Sequence, residues 1–179
     1  MLYPILALCI MKFNEIQFEA PERFKAVIEI EKGSNLKYEY DPNQEIFILD
    51  FTFTPDLLFP YAYGFIPGTL GGDGDPLDVF VLSSPHPLKQ GNVVDVRPIG
   101  MIDLIDQGQE DYKIIAVPVG DEAYQDVNDI SQLGDQWAID MKNFYMKIAD
   151  QKKKEVVIRG FRDANTAIAE IQRAYEAFI

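Results

Sequence analysis

The chain has almost none of the residues that most metal and nucleophile chemistry relies on. Its 179 residues include one cysteine (Cys9) and one histidine (His86). A single cysteine allows no disulfide framework within one chain and suits a reducing cytosol. One His and one Cys also exclude a His- or Cys-rich zinc site. A Ser-His-Asp arrangement would rest entirely on His86, which Pro85 and Pro87 flank as in an ordinary loop. Positive charge is scarce too. Sixteen Lys and Arg stand against 29 Asp and Glu, a net charge of −13. That balance argues against a nucleic-acid partner and repels anionic ligands unless bound cations reverse the local sign. No G-x-x-x-x-G-K-[ST] loop occurs. The N-terminal stretch Met1 to Met11 is apolar and uncharged, but it is too short to span a membrane and lacks the basic start of a secretory signal. Two readings of it stand: an extra strand on the core, or an upstream start with Met11 as the true first residue, the second slightly preferred.

What is present is carboxylate. Asp73-Gly74-Asp75-Pro76-Leu77-Asp78 places three acids in six residues, on a stretch that Gly71, Gly72, Gly74 and Pro76 keep out of helix. Like charges this close repel, and hard divalent cations relieve the repulsion. A bare triplet of this kind is more often a solvated turn. Here it abuts Leu77, Val79, Phe80, Val81 and Leu82, which read as a buried strand. A helix-loop-helix calcium site fails on spacing, since its sixth position would be Asp78 and its twelfth Ser84. A second acidic group, Asp103, Asp106, Glu110 and Asp111, reads by itself as a polar hairpin. Lys37 and Glu39 share one face of an alternating segment, and Tyr61 and Tyr63 lie in a Pro- and Gly-rich stretch.

Length and 47% hydrophobic residues predict one globular domain, taken as 20–179 behind an extension of 1–19. Strands are expected at 25–30, 36–40, 45–49, 77–82, 93–99, 114–119 and 155–161. Helices are expected at 135–150, with Ile139, Phe144, Met146 and Ile148 as its apolar residues, and after the N-cap Asp163. There Ala164, Ile168, Ile171, Tyr175 and Phe178 mark one face. The fold class is mainly β (α+β), a small β-barrel with two flanking helices.

Asp-Gly-Asp-Pro-Leu-Asp-Val, with Val27–Ile30, Lys37-Tyr38-Glu39, Tyr63–Pro67, Arg97–Gly100, Glu110–Pro118 and Asp126–Ile130, resembles the soluble family I inorganic pyrophosphatases in motif order and spacing. The resemblance covers about residues 20–178. It implies a closed five-stranded OB-like barrel, a homo-oligomer (hexameric in bacteria), a cytoplasmic location and Mg²⁺-dependent hydrolysis of pyrophosphate, several ions per site and Mn²⁺ a substitute. By resemblance, Asp73, Asp78 and Asp111 would ligate a first metal, with Asp78 shared with a second. Asp106 and Asp111 would hold one arriving with substrate, and Glu29 and Glu39 would act mostly through metal-bound waters. Asp75 would orient or deprotonate the attacking water. Lys37 and Tyr63 would grip the attacked phosphoryl group, Lys113 would neutralise charge beside it, and Lys147 would meet the leaving phosphate.

The chain departs from the family's pattern at that last group. Phe51 stands where an arginine is expected, Phe59 for a tyrosine, Gln107 for an acid, and Met146-Lys147 for Tyr-Lys, unless a one-residue slip puts Tyr145 there. Lys142 or one of Lys152 to Lys154 could fill in. Weakened pyrophosphate hydrolysis is the leading reading. A pocket for another phosphoanhydride, or a non-catalytic metal- or phosphate-binding protein, are the alternatives.

Overall fold

The structure, a computed structural model, describes residues 12–84 and 87–179. The apolar run up to Met11, and His86, lie outside them. The fold is mainly β with two helices. Its strands are β1 (Phe24–Ile30), β2 (Leu36–Asp41), β3 (Ile46–Thr52), β4 (Ala62–Phe65), β5 (Asp78–Val81), β6 (Val93–Asp106), β7 (Gln109–Glu110), β8 (Lys113–Pro118) and β9 (Val156–Arg162). The helices are α1 (Asp135–Lys152) and α2 (Ala164–Phe178). Of residues 12–19, Phe13 packs on Tyr40 and Phe47, and Phe18 stacks on Tyr175.

Pairing runs from β1 through β4, β5 and β8 to β6, and β1 also meets β6. The circuit is uneven. The β1–β6 ladder spans only Phe24–Val27 against Val93–Val96, bulges interrupt β1 and β6, and β7 and β9 pair with the far half of β6. The hairpin β2–β3 forms a separate sheet. These ladders do not confirm the closed five-stranded barrel that the resemblance implies.

Alternation along the strands sorts the core into two layers. Phe80 and Leu82 join Ile115 and Val117 under α1, while Val79 and Val81 join Ile114 and Ala116 under α2. The helices turn differently from their expected faces. α1 buries Trp137, Met141, Phe144, Tyr145 and Ile148, leaving Ile139 49% and Met146 69% exposed. α2 buries Ala167, Ile171 and Ala174 against the sheet, while Phe178 is exposed. Asp163 caps α2 as expected, accepting from the Thr166 backbone N–H at 2.8 Å.

Two strands were not expected, β4 and the two-residue β7. β4 lies in the Pro- and Gly-rich stretch and is buried throughout, so it shows no alternation. Gly64 is essential to it: a Cβ there would stand 1.8 Å from the Val27 carbonyl oxygen of the neighbouring strand. The second acidic group lies on the expected polar hairpin, formed by β6 and β7. Asp103 and Asp106 belong to β6 itself, and the turn is Gln107-Gly108, both with positive φ (49° and 85°), as a tight hairpin demands.

Candidate active site

β4, β5, β8 and the far part of β6 bring their ends to one cavity of about 560 Å³, which α1 and the β2–β3 hairpin also border. Its walls include Glu29, Lys37, Glu39, Tyr63, Asp73, Asp75, Asp78, Asp106, Asp111 and Lys113. The structure thus brings ten of the eleven expected site residues to one place, from segments up to 84 positions apart in sequence. Lys147 is the exception. Its ammonium faces Asp56 at 3.9 Å on the outer side of α1, and the side chain is 57% exposed. The phase of α1 decides this: Phe144, Tyr145 and Ile148 point inward, so Met146 and Lys147 cannot. Tyr145 lines the cavity instead.

The acidic loop is shaped by its glycines. Gly74 adopts φ 95°, the Gly71 N–H donates to the Asp75 carbonyl at 2.7 Å, and the Asp75 N–H donates to Asp73 Oδ1 at 3.1 Å. Asp78 begins β5 and pairs in parallel register with Lys113 at the start of β8. Strand pairing therefore sets the Lys113 ammonium between Asp78 and Asp111, to both of which it donates. Lys154 donates to Asp106.

These environments shift protonation in ways that suit their surroundings. Burial works against the Lys113 charge, but Asp78 and Asp111 outweigh it and raise its pKa. Partial burial, then Asp73 and Asp78, raise the Asp75 carboxyl. Burial pushes the Tyr63 hydroxyl well above its ordinary value, so it stays a neutral donor. Glu29 is pushed up to about 8, chiefly by burial, against the Tyr40 N–H that it accepts at 2.7 Å, with Asp78 and Glu39 adding repulsion.

Glu29 gives a direct pH test. A carboxyl whose folded pKa is raised contributes stability that is complete below its unfolded value. That contribution is lost as pH rises through the folded value. The metal-free protein should therefore lose up to about 1.4 kcal/mol per pH unit between about pH 5 and 8 from this group. Glu29→Gln should flatten that part of the profile. Urea midpoints across the range measure it, and an unchanged slope in the mutant would place the dependence elsewhere.

Five aspartates offer only oxygen, the donor set of a hard divalent cation, and Asp106 Oδ1 is buried without a hydrogen-bond partner. Among the described residues no three such side chains are already gathered tightly enough to hold an ion. Lys113 and Lys154 neutralise three of these carboxylates, Asp78, Asp111 and Asp106. The residues present suit a metal by chemistry.

Other quoted motifs are structural. Arg97 donates to the carbonyls of Val127 and Tyr124, and Asp129 caps the turn Ile130–Leu133 and accepts from the Ala164 N–H. Asp103, 6% exposed, is held by Arg159 and Arg162 of β9. Sequence reasoning assigned no role to Asp50 or to the cavity residue Phe53, and it left Lys152 and Lys154 as two names among several. The two lysines line the cavity, whereas Lys142 lies over the Phe161 ring.

Fold and site define a mainly β protein whose acidic, lysine-bearing cleft suits divalent cations together with an anion. Residues 26–179 match the family described as inorganic pyrophosphatase. A soluble inorganic pyrophosphatase of Zea mays is 38% identical over 164 residues, 92% of this chain and 76% of that protein. An inorganic pyrophosphatase of Saccharolobus solfataricus is 38% identical over 161 residues, covering 88% and 93%. The crystal structure of inorganic pyrophosphatase from Thermus thermophilus superposes with a TM-score of 0.83 at 36% identity, covering 91% of this chain and 95% of that one. The chain belongs to the inorganic pyrophosphatase family.

Proposed function

We propose that the protein hydrolyses inorganic pyrophosphate to two phosphates with divalent metal, Mg²⁺ by preference and Mn²⁺ as a substitute. The observation that carries this reading is the composition of one cavity. Seven carboxylates against four lysines leave a formal surplus of three negative charges at its wall. A polyanion enters such a place only when cations have reversed the sign. Asp73, Asp78, Asp106 and Asp111 would hold them, with Glu29 and Glu39 at the edge of the set. Bound there, divalent cations lower the pKa of water and neutralise phosphate oxygens.

The chain's own residues do the rest. Asp75 takes a proton from the attacking water. The water oxygen bonds to one phosphorus, and the bridging P–O bond breaks with its electron pair staying on the departing phosphate. The two protons of water finish one on each product. Lys37, Lys113 and the neutral Tyr63 hydroxyl stabilise the charge on the attacked phosphoryl group. A homo-oligomer, hexameric by the resemblance, and a cytoplasmic location belong to the same reading. Among the described residues no helix is long and apolar enough to cross a membrane.

Phosphate release from pyrophosphate tests the proposal, measured with Mg²⁺, with excess chelator, and beside a nucleoside triphosphate. Release with Mg²⁺ and none in chelator is the expected result. Full turnover in chelator would overturn the metal assignment. No release with any divalent cation would favour a non-catalytic binding protein.

A further inference from the structure

Lys152 stands at the last position of α1 and lines the cavity. Its ammonium donates to Asp50 Oδ2 at 3.2 Å and sits 5.3 Å from the centre of the Phe51 ring. The same Asp50 oxygen accepts from Lys37 at 3.1 Å. Asp50 reaches this place through an irregularity. Lys37 pairs with Phe51 and Tyr38 with Leu49, so Asp50 is the extra residue of a bulge in β3. Bulges re-aim side chains in this way. Asp50 is not itself a wall of the cavity, whereas Lys37 and Lys152 are.

One exposed carboxylate beside the cavity therefore holds two ammonium groups at its wall. Partial burial opposes the Asp50 charge, but the two lysines outweigh it and hold the carboxyl below its ordinary range. An ammonium has three N–H donors. Lys152 makes one hydrogen bond to Asp50, while the Phe51 face attracts the cation without neutralising it. The other cavity lysines differ. Lys113 is bonded to two aspartates of the acidic set and Lys154 to a third. Lys152 alone among them is anchored wholly outside that set.

We propose that Lys152 binds the departing phosphate of pyrophosphate, held in place by Asp50 and the Phe51 ring at the position where the resemblance leads one to expect an arginine. The proposal rests on the hydrolase reading and names the group that completes its charge balance. When the bridging P–O bond breaks, its electron pair stays on the phosphate beside Lys152. Lys37, tied to the same carboxylate, carries the attacked phosphoryl group next to it. A point charge replaces the bidentate fork of a guanidinium, so orientation is looser but charge is kept.

The test compares Lys152→Met, Lys152→Arg, and Phe51→Arg alone and in the Lys152→Met background, with Mg²⁺ and pyrophosphate. Melting temperatures establish that each variant folds. Lys152→Met should lower kcat/KM roughly tenfold or more, the scale of one charge-assisted contact, through both KM and kcat, because the departing phosphate is charged when bound and gains charge as the bond breaks. Lys152→Arg should stay within a few-fold of wild type. Phe51→Arg should help little in wild type, where Lys152 already acts, and recover most of the loss in Lys152→Met. A folded, active wild type with Lys152→Met inside twofold of it overturns the proposal and leaves the hydrolase reading standing. A wild type that releases no phosphate from pyrophosphate overturns both.

Discussion

Asp75→Asn is expected to lower kcat for pyrophosphate by roughly a hundred- to ten-thousand-fold, the usual contribution of a positioned base. The loop explains why this residue and not its neighbours should carry that effect. The backbone of Asp75 is fixed at both ends: its carbonyl accepts from Gly71 and its N–H donates to Asp73. Asp78 and Asp111 are bonded to Lys113, and Asp106 to Lys154. Partial burial and two neighbouring carboxylates raise the Asp75 pKa, which makes it a stronger base than a solvated aspartate. Asparagine keeps the size and removes the basic lone pair. Divalent-cation affinity, measured by titration without substrate, should stay within a few-fold of wild type. A mutant whose kcat lies within twofold of wild type would remove Asp75 from the proton transfer. A mutant that no longer binds the cation would place it among the ligands instead.

What the sequence could reveal about this site followed the range of the interactions. The acidic loop was legible because its three carboxylates, its glycines and its proline lie within a few residues. Their consequences, a turn without helix and mutual repulsion, are local. The helices and the Asp163 cap were legible for the same reason. The strand Ala62–Phe65 was not. Pro60, Gly64 and Pro67 read as loop punctuation, and a strand buried on both faces gives no alternation to find. Its glycine is there because the Val27 carbonyl passes where a side chain would go. Such a constraint comes from a residue 37 positions away. Helix phase failed similarly. In α1 the pattern at 139, 144, 146 and 148 is compatible with more than one face, and packing against Phe59, Phe80 and Phe161 selects the Trp137–Tyr145 side. That selection takes Lys147 away from the cavity and puts Lys152 beside it. Asp50 was hidden more deeply still, since its role depends on a bulge that exists only once β2 and β3 are paired.

Lys113→Met is expected to destabilise the metal-free protein by about 3–5 kcal/mol, because it leaves buried charge without its partner. Lys113 is 5% exposed and donates to both Asp78 and Asp111. The parallel register of β5 and β8 fixes Asp78 beside position 113 whatever side chain stands there. Without the ammonium the two carboxylates would face each other across an apolar thioether. The Asp111 pKa, already raised by burial and at present held back by Lys113, should rise further. A raised carboxyl contributes stability while protonated and loses it as pH climbs through its folded pKa. The cost of the mutation should therefore deepen as pH rises above the ordinary carboxylate range. Added Mg²⁺ should return more stability to the mutant than to wild type, since a divalent cation suits two carboxylates that no longer have an ammonium between them. Activity should not return with it, because the charge that Lys113 sets beside the phosphoryl group is gone. Urea midpoints at several pH values, with chelator and with Mg²⁺, read all of this from one protein. A loss below about 1 kcal/mol that is flat with pH and indifferent to Mg²⁺ would mean that Asp78 and Asp111 do not depend on Lys113 for neutralisation.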